Sequence, residues 1–376
     1  MIQWLLRLLG LAKDPPAPSA LPPPPVETME VPVSSEPAPT PAPAGPLIGP
    51  GVPQIALPAG SSVPAPWARG HVVPSTDTEI VRRHLLKHLS DLAEEAEEPG
   101  DAALVKRLER MVATDQLDLP PFPAVARELD ELLKQTTTDI LQIARVVERD
   151  PGMVKRVWTH ARSAAYSSPP RSLHHAVARV GLDALWRIGM SVCLNNTVFH
   201  VEGYQHEADR VRGHGIIAAE VSAALGGVKR GSLYMAGLLH DVGRLIVLRA
   251  ASEGHKRGTA RTEFLEDVAD RTRTWLSVLV AASWGLEDDV TQAIAAHHDP
   301  DAAPRSKVKH ASVVRAASIA AHATGLSRAG LTPEGSDPVD EITRLGHDPM
   351  QALELASEVM DQLARTAQED EDFAPA

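Results

Sequence analysis

Beyond Thr76, apolar residues recur at three- and four-residue spacing over most of the chain, and no stretch alternates with a sustained period of two. That pattern predicts an all-α fold with short connections, and the lack of a persistent heptad excludes a coiled coil. The first helix is expected from Thr76, which stands at capping-box spacing from Glu79 ahead of Ile80, Leu85, Leu89 and Leu92. Further helices are expected over 101–112, 124–133, 139–148, 151–165, 173–180, 183–195, 207–225, 231–248, 263–284, 288–297, 308–324, 338–345 and 349–366. Asp followed by Pro recurs at 150–151, 337–338 and 348–349, the signature of an N-cap carboxylate with proline in the first helical turn. Ser172 has the same capping role ahead of 173–180, with Gly181 as the residue that ends that helix.

One helix breaks its own pattern. The run 231–248 is apolar at Leu233, Ala236, Leu239, Ile246 and Leu248, with Ser232 as its expected N-cap, yet His240 and Asp241 sit side by side in its middle. Burying an imidazole and a carboxylate costs several kcal/mol, of order 2–7 for an unpaired polar group, unless partners satisfy them. Those partners are either neighbouring helices, in which case the pair fixes packing, or a metal ion.

Composition changes the picture at the amino terminus. Nineteen of the 32 prolines lie between Pro15 and Pro74, in a stretch with few charged side chains, and such a segment buries too little apolar area to offset its ordering entropy. Residues 14–75 are therefore expected to be a disordered Pro/Ala-rich linker. Residues 1–13, MIQWLLRLLGLAK, are expected to form a short amphipathic helix, too short to span a bilayer. Three roles stand open for it: peripheral membrane contact at the inner face, docking on a partner, or packing back on the main domain.

Other candidate sites carry less. His84 and His88 have metal-ligand spacing but lie among Arg82, Arg83 and Lys87, so a solvated face is expected. Gly226 to Gly231 lacks the strand and the Gly-Lys-Ser/Thr ending of a phosphate loop and reads as a helix connection. His174 and His175 read as surface or interlobe residues. Cys193, the only cysteine, excludes an intrachain disulfide, fits a cytoplasmic location and reads as a buried inert thiol. A net charge of −12 argues against nucleic acid as a partner but not against a small anionic ligand in a local pocket.

The order of motifs then points to a family. Leu119-Pro120-Pro121-Phe122-Pro123-Ala124 is followed by Val147-Glu148-Arg149-Asp150-Pro151, Ser163-Ala164 with Tyr166, and Ala176-Val177 with Val180-Gly181. Leu238 to Leu245 (LLHDVGRL), Trp284 and Ala295-Ala296-His297-His298 complete the series. Together these resemble an HDOD domain, the output-domain relative of the HD metal phosphohydrolases, over about 113–325. The resemblance implies a two-lobed helical module of bacterial signal transduction, generally regulatory and often without demonstrated catalysis; the expectation drawn from it is a non-catalytic module that binds a signalling protein or a small anion. Helical lead-in residues 76–112 would precede it, and 326–376 would add carboxy-terminal helices and a frayed acidic end.

Carried over residue by residue, the resemblance makes His240 and Asp241 the HD pair, His214 the first histidine, and His297 and His298 the later double histidine. These five form the expected metal site, relic or weak, with no cofactor assigned beyond a divalent ion. Two departures argue for a relic. The helix that carries another histidine in catalytic relatives reads Arg271-Thr272-Arg273-Thr274-Trp275, and a guanidinium there repels a cation. The last core helix reads Arg315-Ala316-Ala317-Ser318-Ile319-Ala320 where an aspartate is expected. Asp299-Pro300-Asp301 after His298 is not the Gly-Tyr-Pro of the cyclic-di-GMP phosphodiesterases, and Arg162 stands where the regulatory family usually has Asn. The readings set against the regulatory one are a metal-dependent HD phosphohydrolase and a membrane-tethered scaffold.

Overall fold

The computed structural model describes residue 73 and residues 75–372, apart from Asp118 and the segments 135–138, 163–168, 228–230, 254–258, 303–306 and 327–336. All of these belong to one unit, Pro64–Ala376. The expected 1–13 helix, the linker and the Ser163-Ala164-Tyr166 motif lie outside the described residues.

Among the described residues there are helices and no strands. An opening pair, α1 (Thr78–Glu94) and α2 (Pro99–Ala113), leads into α3 (Ala124–Lys134), α4 (Ile140–Glu148), α5 (Pro151–Ala161), α6 (Leu173–Val180) and α7 (Leu182–Thr197). The chain continues through α8 (Gln205–Leu225), α9 (Ser232–Leu239), α10 (Gly243–Ser252), α11 (Thr262–Ser283), α12 (Asp288–Ala296) and α13 (Val308–Ala323). Two further helices, α14 (Pro338–Arg344) and α15 (Pro349–Asp372), close it.

The Asp-Pro caps and the Ser172 cap read from the sequence hold. Asp150 accepts from Met153 N, Asp337 from Val339 N, Asp348 from Met350 N, and Ser172 from His175 N. Gly181 takes φ 79°, a conformation open to glycine, where α6 ends. Thr76 is not a cap: Asp77 accepts from the amides of Glu79 and Ile80, while the Thr76 hydroxyl accepts from Gln292 on α12. The segment expected over 151–165 stops as a helix at Ala161, and α15 runs past Thr366 to Asp372.

The helices sort into two lobes. Helices α3 to α7 pack on one another, and α8 to α15 build the second body with α1 and α2 against its flank. Across the junction Trp186 lies edge-on to Tyr234 at 5.1 Å, Arg187 pairs with Glu220, and the Trp284 indole N–H donates to Pro120 O at 3.2 Å. Cys193 is buried in the first lobe, and burial pushes its thiol up to about 12, as an inert thiol requires. His174 is half-buried and His175 exposed, both on the surface of that lobe.

The lead-in helices pack as a flank, with His84 exposed as expected and His88 half-buried. His84 stacks on Trp275 of α11 and His88 lies tilted against it, with centroids 5.9 and 5.4 Å away. Arg83 and Lys87 are exposed, Arg82 pairs with Glu79 and Asp115, and the imidazoles cover an indole that is 3% exposed. Asp101, fully buried, accepts from the backbone N and the Nε of Arg261 at the start of α11. This carboxylate supplies the cap that α11 lacks in its own sequence.

Helices α8 and α9 cross with their backbones in contact. A β-carbon at Gly215 would sit 2.5 Å from Leu238 O, and one at Gly237 would sit 2.6 Å from Ala218 O. Because neither neighbour is a movable side chain, Gly215→Ala is expected to cost about 1–3 kcal/mol and lower the thermal midpoint by several degrees. An unchanged midpoint by calorimetry would contradict the close crossing.

Candidate functional site

The crossing of α8 and α9 brings His214 against His240. The expected single helix over 231–248 is broken at this point: α9 ends at Leu239, α10 starts at Gly243, and His240 and Asp241 lie in the turn between them. Two contacts explain the break. The His240 Nδ1–H donates to Gly237 O at 2.8 Å, and the Gly243 amide donates to Ser277 Oγ at 2.8 Å instead of to a carbonyl one turn back. A β-carbon on Gly243 would lie 2.1 Å from Arg273 O, so only glycine lets α10 approach α11 this closely. Ser232 is not the cap of α9; that position is Gly231, at φ 106°.

Because His240 donates from Nδ1, its Nε2 is an acceptor, and it takes a hydrogen bond from His214 Nε2 at 3.2 Å. His297 is fixed the same way, with Nδ1–H donating to Ile294 O at 2.7 Å and Nε2 buried without a partner. Imidazoles continue on both sides. His297 stands edge-on to His240 at 5.2 Å, His298 lies 3.9 Å from His297, and His322 of α13 lies 4.3 Å from His214. The five residues singled out in the sequence therefore do lie together.

His322 was not among them. It follows Arg315 by seven residues, two helical turns, so the two share one face of α13, and that spacing was the available signal.

Burial dominates the electrostatics. It pulls His214 down to about 3, with the charge of His240 adding to the effect, and it holds His240, His297 and His322 below the usual imidazole range. For Asp241 burial works upward, but the Arg273 guanidinium overrides it and keeps the carboxyl well below its ordinary range. Arg273 is 1% exposed, and its Nη1 donates to both Asp241 oxygens, at 3.0 and 3.1 Å. Arg315 lies 3.4 Å from His298 Nδ1, and burial, then the charge of Arg273, lowers it to about 10. Arg244 is held by Asp270 and Glu266.

A divalent metal is the group this arrangement brings to mind. His214, His240 and Asp241 each offer a ligand atom, all within 4.8 Å of one another. The residues nevertheless do not fit one. The single carboxylate is already engaged through both oxygens by Arg273, and the nearby acids Asp270 and Glu266 neutralise Arg244. A divalent ion about 5 Å from a guanidinium would meet ~6 kcal/mol of repulsion at an effective dielectric near 20. Arg273 thus does the electrostatic work for Asp241 that a cation would do.

Beside this cluster lies a cavity of about 50 Å³, lined by Glu207, Arg210, His214, Asp241, Arg244 and His322 among others. That is room for a few water molecules, against the roughly 300–1,000 Å³ of a typical small-molecule site.

Residues 119–300 match the HDOD domain family, and this part of the chain is an HDOD domain. Several solved structures share the fold. A candidate metal-dependent phosphohydrolase from Shewanella amazonensis SB2B aligns with a TM-score of 0.53 at 24% identity, covering 68% of this chain and 96% of that one. An HDOD domain protein of unknown function from Geobacter sulfurreducens gives 0.52 at 20% identity, covering 76% and 97%. A candidate signal transduction protein from Marinobacter aquaeolei VT8 gives 0.53 at 22% identity, covering 80% and 68%. No curated protein matches the chain. No described helix is long and apolar enough to cross a membrane.

Proposed function

We propose that this protein is a non-catalytic regulatory module of cytoplasmic signal transduction that acts by binding a protein partner or a small anion. The observation that carries this reading is the Arg273 guanidinium seated on both oxygens of Asp241, the one carboxylate of the HD pair. A hydrolytic HD centre needs that carboxylate for an ion that activates water. Here it serves as half of a buried ion pair, beside a cavity of only about 50 Å³. The histidines then act as packing and hydrogen-bonding groups that fix α8, α9, α12 and α13 around one centre.

The rival reading, a metal-dependent phosphohydrolase, is favoured by the grouping of His214, His240 and Asp241. Elemental analysis of the purified protein decides between them, together with a phosphodiesterase assay in Mn²⁺. The regulatory reading expects substoichiometric metal and no metal-dependent turnover. Stoichiometric Fe, Mn or Zn with turnover abolished by Asp241→Asn would establish the enzyme.

A further inference from the structure

The charges of this chain are segregated in a way the HD centre does not use. Residues 151–182, which contain α5 and α6, carry five Lys or Arg and three His and no Asp or Glu, inside a protein of net charge −12. Residues 337–372, which contain α14 and α15, carry eleven Asp or Glu against two Arg.

The basic groups converge where α5 ends. Arg179 Nη1 donates to Ala161 O at 3.3 Å and its Nη2 lies 3.4 Å from His175 Nε2, while the Arg171 amide donates to His175 Nδ1 at 3.2 Å. Arg162 packs over the ring of Trp158 at 5.6 Å. Arg162 and Arg171 are exposed, and neither has an ion-pair partner among the described residues.

On α15, Glu354, Glu358 and Asp361 are exposed at i, i+4 and i+7, so they form one stripe. None has an ion-pair partner among the described residues, and like charges at this spacing mildly destabilise an isolated helix. Both faces therefore gain from an opposite charge. No ion pair joins them within the chain among the described residues, because α15 packs on α8 and α13 while α5 and α6 belong to the other lobe.

We infer that the α5–α6 face of one chain docks on the α14–α15 face of a second copy. A second copy fits better than a nucleic acid, since the acidic helices carried by the same chain repel a polyanion but attract the basic lobe of a neighbour. The contact joins two different surfaces, so it closes as a reciprocal dimer or continues head-to-tail. Association then grows with concentration into dimers, rings or short chains.

Sedimentation velocity of the full chain tests this at about 50 mM and about 500 mM salt, where the screening length falls severalfold. The expected result is concentration-dependent association at low salt that high salt disperses. Two variants, Arg162→Glu/Arg171→Glu and Glu354→Lys/Glu358→Lys, are each expected to weaken association at least about tenfold. Mixed together they are expected to associate again, because each supplies the face the other lacks; circular dichroism checks that both stay folded. A wild-type chain that remains monomeric at low salt up to about 100 μM would overturn the inference. So would reversed variants that associate as the wild type does. A chain that stays monomeric yet binds a short DNA duplex at low salt would assign the basic face to a polyanion instead.

Discussion

Arg273→Ala is expected to destabilise the protein by about 3–5 kcal/mol, because it leaves the Asp241 carboxylate buried with no counter-charge. That is a large share of the roughly 5–15 kcal/mol that holds a typical domain together. The same substitution should change what the centre accepts. With the guanidinium gone, His214, His240 and Asp241 keep their positions within 4.8 Å of one another, and the carboxylate is free to bind an ion. Mn²⁺ or Zn²⁺ is therefore expected to raise the melting temperature of the alanine variant and to leave the wild type unmoved. Isothermal titration with each metal checks the point directly. If the wild type already takes up one equivalent, Arg273 is not the counter-ion proposed for it. A variant recovered in folded form only when metal is present would support the same account. The double variant Arg273→Gln/Asp241→Asn should be milder than Arg273→Ala alone, since it removes both charges together.

Acid is expected to unfold this protein by way of its buried imidazoles. His214, His240, His297 and His322 all have folded-state values below the ordinary 6.5, with burial the leading cause in each case. Below that ordinary value the unfolded chain takes up protons that the folded chain refuses, so stability falls as pH falls. At about pH 5.5 the unfolded chain holds protons on these imidazoles that the fold refuses, so the protein is expected to be less stable there than at neutral pH. The loss continues toward about 3 for His214, the folded value there. Asp241 acts in a lower window: its depressed value contributes stability above the ordinary carboxyl range, which is lost only in stronger acid. Urea denaturation at about pH 7.5 and 5.5 measures the difference. A change below about 1 kcal/mol would mean that these rings are not held neutral in the fold. His297→Gln should lower the number of protons taken up on unfolding by about one, a readout separate from its effect on packing.

Much of the architecture was legible because it is written locally. An aspartate before a proline suits the start of a helix, and the pairs at Asp150, Asp337 and Asp348 each cap one here. The order of motifs singled out His214, His240, Asp241, His297 and His298, which the fold brings together, and Arg273 and Arg315 stand in the two helices where a further histidine and aspartate were expected. What escaped the sequence depends on contacts between distant segments. The break at His240 exists because Ser277, 34 residues later, takes the amide of Gly243. Thr76 lost its cap to Asp77 because Gln292 engages its hydroxyl. His84 is exposed as its arginine neighbours suggested, but the contact that both imidazoles make with Trp275 depends on α11 and could not be read locally.

That indole bears on how the protein should be handled. A fragment trimmed to 119–300 would discard α1 and α2, bare Trp275 to water and strip Arg261 of the Asp101 carboxylate that starts α11. It would also cut the bond from Val73 N to Ala295 O, two residues before His297. The smallest piece able to fold alone begins where the proline-rich stretch ends, and truncation at the family boundary should yield aggregates instead of a tidy domain.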